Sequence, residues 1–125
     1  MSGLRLRALD GVFAIARLDP RDTVPSWAHA GTFAAVTRTP AELSILTDAS
    51  VPGDVTCERG WCGFVVEGPL PFTMTGVLAS LTTPLAAAGI TILATATYDT
   101  DYLFVKAPDR ARAVAALTQA GHIVE

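Results

Sequence analysis

Few side chains of this 125-residue chain could carry out covalent or acid–base chemistry, and they are not arranged as a catalytic site. Cys57 and Cys62 have C-x4-C spacing, which is neither a C-x-x-C redox motif nor half of a convincing zinc site. We expect two reduced thiols. His29 and His122 lie far apart in the sequence. Because no nucleophile, base and orienting group occur together, the sequence predicts no enzyme, no metal site and no cofactor.

The closest pair of acidic residues with a chemical interpretation is Asp99 and Asp101. Two residues apart in a turn, such carboxylates usually face different ways, and no histidine or third carboxylate adjoins them. We therefore expect no catalytic role for the pair. His122 follows Gly121, which is predicted to end a helix, so its side chain is expected to interact with the last carbonyls of that helix.

The composition is that of a folded protein. Hydrophobic residues make up 50% of the chain and charged residues 17%, below the roughly 25% of an average soluble domain. This apolar excess excludes intrinsic disorder. A net charge of −3 without a basic run argues against nucleic-acid binding. The length allows one domain, or two very small ones.

The mean hydropathy of +0.41 raises the question of a membrane. No apolar stretch approaches the roughly 20 residues that a spanning helix needs. Residues 1–7 lack the continuous apolar segment of a signal peptide. The sequence therefore predicts a soluble cytoplasmic protein with neither a membrane nor a nucleic acid as partner.

The first half of the chain reads mainly as strands. Alternating apolar and polar residues predict strands over residues 4–9 and 12–18, joined as a hairpin by the Asp10–Gly11 turn. A short helix is predicted over residues 25–31, with strands over 32–37 and 43–47. Residues 48–54 resemble a linker.

The second half has longer elements. Strands are predicted over residues 62–67, 90–97, 102–106 and 122–125, and a turn over 98–101. One helix is predicted over residues 76–88, capped by Thr75 and kinked or divided by Pro84, and a second over 109–120. The residues expected to face inward are Val77, Leu78, Leu81, Leu85, Ala113, Val114 and Leu117.

The two halves repeat one pattern. When residues 37–46 are aligned with 96–105, a strand end, a turn, an acidic residue (Glu42 or Asp101) and a strand start coincide. The second half has the order βαββαβ, and the first lacks the second helix. We therefore predict an α+β fold of two tandem ferredoxin-like units, an incomplete unit over residues 1–56 and a complete one over 57–125.

Three segments of the second half, residues 72–81, 84–90 and 94–106, resemble an ACT domain. The first half, through residues 25–28 and 37–46, looks like the companion unit of a tandem-ACT family. That family is similar to the regulatory region of aspartate kinase and to the cytosolic arginine sensors of animal cells. The resemblance covers nearly all of the chain, and the Tyr-Asp-Thr-Asp-Tyr stretch of residues 98–102 is its most specific part.

The resemblance implies regulation by a small ligand, typically an amino acid, held where two ACT units meet. In this sequence the implied positions of the complete unit are Thr73, Met74, Thr75, Gly76 and Val77 in a loop, with Tyr98, Asp99, Thr100 and Asp101 after a strand. The companion unit would offer Glu42, Ser44 and Ile45.

Physical chemistry supports a ligand at these positions independently. The start of the helix after Gly76 offers unpaired N–H groups and a positive dipole end, which suit a carboxylate. A glycine at that point lets the ligand approach the backbone closely. The Asp101 carboxylate could bind an ammonium group. Together these groups would hold both ends of a free amino acid.

Two functions follow from the sequence. The first is a non-catalytic regulatory module that binds an amino acid and forms a homodimer. Binding would favour one arrangement of the ACT units, and an unidentified protein would respond to that shift. The alternative is a ligand-free structural or interaction module that forms a homodimer. In the alternative, Thr75 would be only a helix cap and residues 99–101 only a turn.

Overall fold

The order of helices and strands is that of an α+β protein, as predicted. The computed structural model describes residues 3–125. We call the described residues up to Asp10 together with Cys62–Glu125 the split unit, and Gly11–Trp61 the continuous unit. The elements are β1 (Arg5–Ala8), β2 (Phe13–Leu18), a 3-10 helix (Ser26–His29), β3 (Ala34–Arg38), β4 (Leu43–Thr47), β5 (Thr56–Val66), α1 (Val77–Ala87), β6 (Ile92–Ala96), β7 (Asp101–Lys106), a second 3-10 helix (Ala107–Asp109), α2 (Arg110–Gln119) and β8 (Ile123–Val124).

The split unit contains the complete βαββαβ sequence of elements, from β5 through α1, β6, β7 and α2 to β8. Its strands are ordered β6-β7-β5-β1-β8. The β6–β7 pair is an antiparallel hairpin in which Ile92 lies opposite Val105. The ferredoxin-like interpretation of the second half is thus confirmed.

Strand β1 does not form the predicted hairpin with β2. It lies between β5 and β8, antiparallel to β5 with Leu6 opposite Val66, and parallel to β8 with Arg5 opposite Ile123. The Asp10–Gly11 turn signal therefore predicted the wrong partner for β1, because strands that pair across long sequence distances leave no local pattern. Strand β1 therefore belongs to the sheet of the split unit.

The core of the split unit lies between one face of its sheet and the two helices. Alternate strand residues such as Leu6, Phe64 and Val66 supply the sheet side. From α1, Leu81 and Leu85 are fully buried, but Leu78 is 43% exposed, so its predicted inward position is wrong. The helix α2 contributes Ala113 and Leu117, as predicted, with Val114 packed at the edge of the cluster.

Both helices end in the same way. After α1, the Ile90 amide donates to the Leu85 carbonyl at 3.1 Å, and after α2 the His122 amide donates to the Leu117 carbonyl at 3.0 Å. This is the Schellman pattern, and it requires the left-handed backbone of Gly121 (φ 98°) between α2 and His122. The glycine ends predicted from the sequence are therefore present.

Helix α1 runs through Pro84 without a break, so the predicted division does not occur. A proline has no N–H, which leaves the carbonyl four residues earlier, that of Ser80, without its helical donor. The Nε2 atom of His122 lies 2.9 Å from this oxygen, and its Nδ1 atom accepts the Leu4 amide at 3.0 Å. The His122 side chain thus bridges α1 and the start of β1 and does not cap α2 as predicted.

The continuous unit is an antiparallel sheet in which β4 lies between β2 and β3. Strand β2 also pairs with the first part of β5, Ala16 lying opposite Cys57. Strand β5 begins at Thr56, earlier than the predicted start at residue 62. The boundary between the two units falls within β5, between Trp61 and Cys62. The predicted domain limits, residues 1–56 and 57–125, stay a prediction.

Asp48 fixes the chain before β3 in the continuous unit. Its carboxylate accepts the amides of Thr32 and Phe33, each at 2.9 Å, and the Thr32 hydroxyl at 2.5 Å. Burial raises the pKa of Asp48, but these hydrogen bonds to the charged form outweigh that effect, so the pKa is lowered. The ionised side chain is therefore part of the folded unit.

Across residues 3–125, neither helix combines the length and the apolar character that a membrane-spanning helix needs.

Candidate functional site

The split unit has a cleft between the loop that precedes α1 and the turn that joins β6 to β7. Hydrogen bonds fix these two segments to each other: the Leu70 amide donates to the Asp99 carbonyl at 2.7 Å. The Thr100 hydroxyl donates to the Val66 carbonyl at 2.5 Å, which secures the turn to the end of β5. Within the turn, the Thr97 amide donates to the Thr100 carbonyl at 2.8 Å. The loop and the turn are therefore held together by hydrogen bonds and form the two walls of the cleft.

The cleft has a volume of about 190 Å³. One wall is apolar and comes from the loop and the first residue of α1, and the other is more polar and comes from the turn. The lining residues are Leu70, Pro71, Phe72, Met74, Val77, Ala96, Thr97, Tyr98, Asp99, Thr100 and Asp101.

Two aromatic side chains meet across the mouth of the cleft. The rings of Phe72 and Tyr98 contact each other edge to face, with centroids 4.9 Å apart and planes at 88°. Both are unusually exposed for aromatic residues, Phe72 by 75% and Tyr98 by 81%. We call them the aromatic pair. Such exposure in a folded domain marks a surface suited to covering by a ligand or a partner.

The charges in the cleft are of one sign. Asp99 and Asp101 are its acidic lining residues, and no lysine, arginine or histidine lines it. Asp101 is half-buried as the first residue of β7, whereas Asp99 is exposed at the tip of the turn. The cleft thus offers acceptors for an ammonium group and no side-chain cation for an anion.

The N-terminus of α1 borders the cleft through Val77. The residue before the helix is Gly76, whose φ is 76°, and no side chain caps the first turn. The predicted cap by Thr75 is therefore wrong, because the left-handed Gly76 takes the capping position. A Cβ atom placed on Gly76 would meet nothing within 4 Å, so the backbone here is open to approach.

The structure brings together part of the predicted site. Met74, Val77, Tyr98, Asp99, Thr100 and Asp101 line the cleft. Thr73, Thr75 and Gly76 belong to the same loop and are exposed beside it. Glu42, Ser44 and Ile45 lie in the continuous unit.

Within the continuous unit, the three remaining positions differ in accessibility. The Ile45 side chain is fully buried in a cluster with Leu43 and Ala28. Ser44 is half-buried on β4, opposite Arg17 on one side and Thr37 on the other, and Glu42 is half-buried just before that strand. Glu42 and Ser44 are therefore the positions that another molecule could touch.

Sequence reasoning missed the apolar wall. None of Leu70, Pro71 and Phe72 was among the predicted site residues, and Ala96 and Thr97 were predicted only as the end of a strand. The available signal was Phe72. A large aromatic residue in a short proline-rich loop before a helix is unusual, because aromatic residues are more often found in the core.

Other clefts gather fewer of the predicted residues. One cleft in the continuous unit is lined by Arg21 and Arg38, but Arg21 lies 3.6 Å from the Asp19 carboxylate and Arg38 donates to the Pro20 carbonyl. A further cleft of the split unit, about 420 Å³, shares the 97–100 turn and adds Arg7 and Tyr102. That further cleft holds Asp99 and Thr100 of the predicted residues, whereas the cleft beside α1 holds six of them.

The groups that could support catalysis stay scattered in the described part of the chain. Cys57 and Cys62 are free thiols, and His29 is exposed. Over residues 3–125, no three histidine, cysteine or acidic side chains are grouped closely enough to hold a metal ion.

Comparison with protein families gives two matches. The family model described as an ACT domain matches residues 56–119, about half of the chain. A second model, described as an N-terminal domain, matches residues 11–54. None of the curated proteins matches the sequence.

Solved structures show the same fold. A protein from Agrobacterium tumefaciens is 36% identical, with a TM-score of 0.94 over 100% of this chain and 94% of that chain. The ligand-free regulatory subunit of aspartate kinase from Thermus thermophilus has a TM-score of 0.62 at 13% identity, over 90% of this chain and 93% of that one. Aspartate kinase from Clostridium acetobutylicum has a TM-score of 0.66 at 10% identity, over 92% of this chain and 34% of that one.

Proposed function

The chain belongs to the ACT-domain family, and on this premise we propose that it is a non-catalytic regulatory module that binds a free amino acid in the cleft beside α1. The observation that carries the proposal is the juxtaposition of the 70–77 loop and the 96–101 turn, which are far apart in sequence and share one cleft. Six of the positions that the family resemblance implied line this cleft, namely Met74, Val77 and residues 98–101.

The two ends of an amino acid find complementary groups here. The carboxylates of Asp99 and Asp101 would accept hydrogen bonds from the ammonium group. The uncapped first turn of α1, reached past the open backbone of Gly76, would donate N–H groups to the carboxylate. An anion without an ammonium group would be repelled by the acidic turn.

In this proposal the site is completed at an interface between ACT units that belong to two copies in a homodimer. Glu42 and Ser44 would be the contribution of the neighbouring unit, with Ile45 supporting them from the core. Binding would favour one arrangement of units, and an unidentified partner protein would respond to that shift. We place this function in the cytoplasm.

A screen of the twenty amino acids by thermal unfolding tests the proposal. A ligand at 100 times its dissociation constant should stabilise the protein by about 2.7 kcal/mol, or several degrees in a protein of this size. The shift should disappear in Asp101→Asn and persist in Asp54→Asn, an exposed carboxylate of the continuous unit. Absence of any shift at millimolar concentrations of all twenty would reject amino-acid binding.

The second candidate is a ligand-free interaction module. It is favoured by the exposed apolar side chains of Phe72, Met74, Leu78 and Tyr98, which a second copy could cover. Sedimentation velocity distinguishes the two functions: the interaction module predicts a dimer whose stability no amino acid alters.

A further inference from the structure

The aromatic pair lies where the side chain of a bound ligand would emerge from the cleft. Phe72 comes from the apolar wall and Tyr98 from the acidic turn, so their contact spans the mouth. The acidic groups and the helix N-terminus account for the two charged ends of an amino acid. Neither accounts for the aromatic pair.

The rest of the wall is also apolar. Leu70, Pro71, Met74 and Val77 line the cleft behind Phe72, and Val77 is buried. A ligand with a small or charged side chain would leave this surface in water or bring a charge against it. A large apolar side chain would remove it from water, at roughly 25 cal/mol for each Å² covered.

From this, and resting on the proposed function, we infer that the cleft selects amino acids with large apolar or aromatic side chains, and that Phe72 and Tyr98 determine that selectivity. The ligand side chain lies against the edge-to-face rings and Met74, while Asp99 and Asp101 hold the ammonium group. Met74 is flexible and can adapt to side chains of different shape, so leucine, methionine and phenylalanine all fit this class.

The chain offers well-matched variants for a test. Because Phe72 and Tyr98 are mostly exposed, Phe72→Ala and Tyr98→Ala remove little of the core and leave the fold intact. Tyr98→Phe keeps the ring and removes the hydroxyl. Val12→Ala, at a residue of the continuous unit that is 59% exposed, controls for loss of an exposed apolar side chain.

Titration calorimetry with leucine, methionine and phenylalanine, against glycine, serine and aspartate, measures the selectivity. We expect binding of the first three, weakened about tenfold or more by Phe72→Ala and by Tyr98→Ala, the order expected when an apolar contact of this size is lost. Tyr98→Phe, which keeps the ring, should recover the binding that Tyr98→Ala loses, and Val12→Ala should bind as the unchanged protein does.

Three results would overturn the inference. If glycine, serine or aspartate binds as tightly, with sensitivity to Asp101→Asn but not to Phe72→Ala, the proposed function stands and the selectivity does not. If none of the six binds, nor any other amino acid, the proposed function itself fails. If Phe72→Ala converts a ligand-free dimer into monomers by sedimentation velocity, the aromatic pair contacts a second copy.

Discussion

His122 supplies the hydrogen bond that Pro84 removes from α1. The Nε2 atom of His122 lies 2.9 Å from the Ser80 carbonyl, which would otherwise accept the amide of residue 84. Since Nδ1 accepts the Leu4 amide at 3.0 Å, the proton of the neutral ring belongs on Nε2, which donates to Ser80. One buried side chain thereby satisfies a helix carbonyl and the start of a strand.

Loss of the His122 ring should destabilise the protein. His122→Ala leaves the Leu4 amide and the Ser80 carbonyl without these partners in a partly buried place, which costs about 1–3 kcal/mol. His29→Ala, at an exposed histidine, should leave the free energy of unfolding unchanged. Urea denaturation measures both.

A double-mutant cycle identifies the mechanism. In Pro84→Ala the restored amide can donate to the Ser80 carbonyl, so adding this change to His122→Ala should recover about 1 kcal/mol relative to the sum of the single effects. Strictly additive free energies would show that Pro84 and His122 do not share this acceptor.

Asp48 should make stability depend on pH. Its pKa is lowered in the folded state by hydrogen bonds from Thr32 and Phe33, after burial has acted in the opposite direction. The stabilisation is therefore present at pH values above the unfolded pKa, about 3.9, and is lost as the pH falls through the lower folded pKa. Asp48→Asn should lack this contribution in urea midpoints measured from neutral to acid pH, and Asp54→Asn should retain it. Equal acid sensitivity in Asp48→Asn and the unchanged protein would contradict the assignment.

Gly63 should not tolerate a side chain. A Cβ atom there would lie 2.8 Å from Cδ1 of Leu9 and 2.8 Å from Cε2 of Phe104, whose ring is fully buried and cannot move freely. Gly63→Ala should reduce the free energy of unfolding by about 1–3 kcal/mol through overpacking. Gly53→Ala, where a Cβ atom meets nothing within 4 Å, is the matched control and should be neutral in thermal unfolding.

Thr100 should position the turn that lines the cleft. Thr100→Val removes the hydroxyl that donates to the Val66 carbonyl, with a loss of about 1 kcal/mol in stability and a weaker response to ligand. Thr100→Ser keeps the donor and should restore both. A ligand response unchanged in Thr100→Val would show that the turn holds its shape without this bond.

The sequence predicted the elements whose patterns are local. The helices α1 and α2 follow from apolar spacing and terminal glycines, and the β6–β7 hairpin from two short apolar runs around a polar turn. It did not predict where β1 pairs, because its partners β5 and β8 are remote in sequence. It also missed the first part of β5, where exposed Glu58 and Arg59 interrupt the apolar pattern.

Only part of the candidate site could be predicted, because the other part depends on contacts between segments that are remote in sequence. The acidic turn has a recognisable sequence, but the apolar wall exists only because the Leu70 amide bonds to the Asp99 carbonyl and brings a proline-rich loop against the turn. Likewise, Thr75 had the right side chain for a cap, and the left-handed conformation of Gly76 displaced it. Neither contact is visible in residue types alone.

In the sequence, the continuous unit lies between the two segments of the split unit, and this order has a consequence for biosynthesis. The ribosome delivers β1 before its partners, since β1 pairs with β5 and with β8, whose Ile123 lies opposite Arg5. The continuous unit is synthesised between β1 and the partners of β1. Because its strands pair mostly with near neighbours in sequence, it can fold while β1 is still unpaired. The nascent chain can therefore hold β1 unpaired while the continuous unit folds, and the pairing of β1 is complete only after β8 has been synthesised.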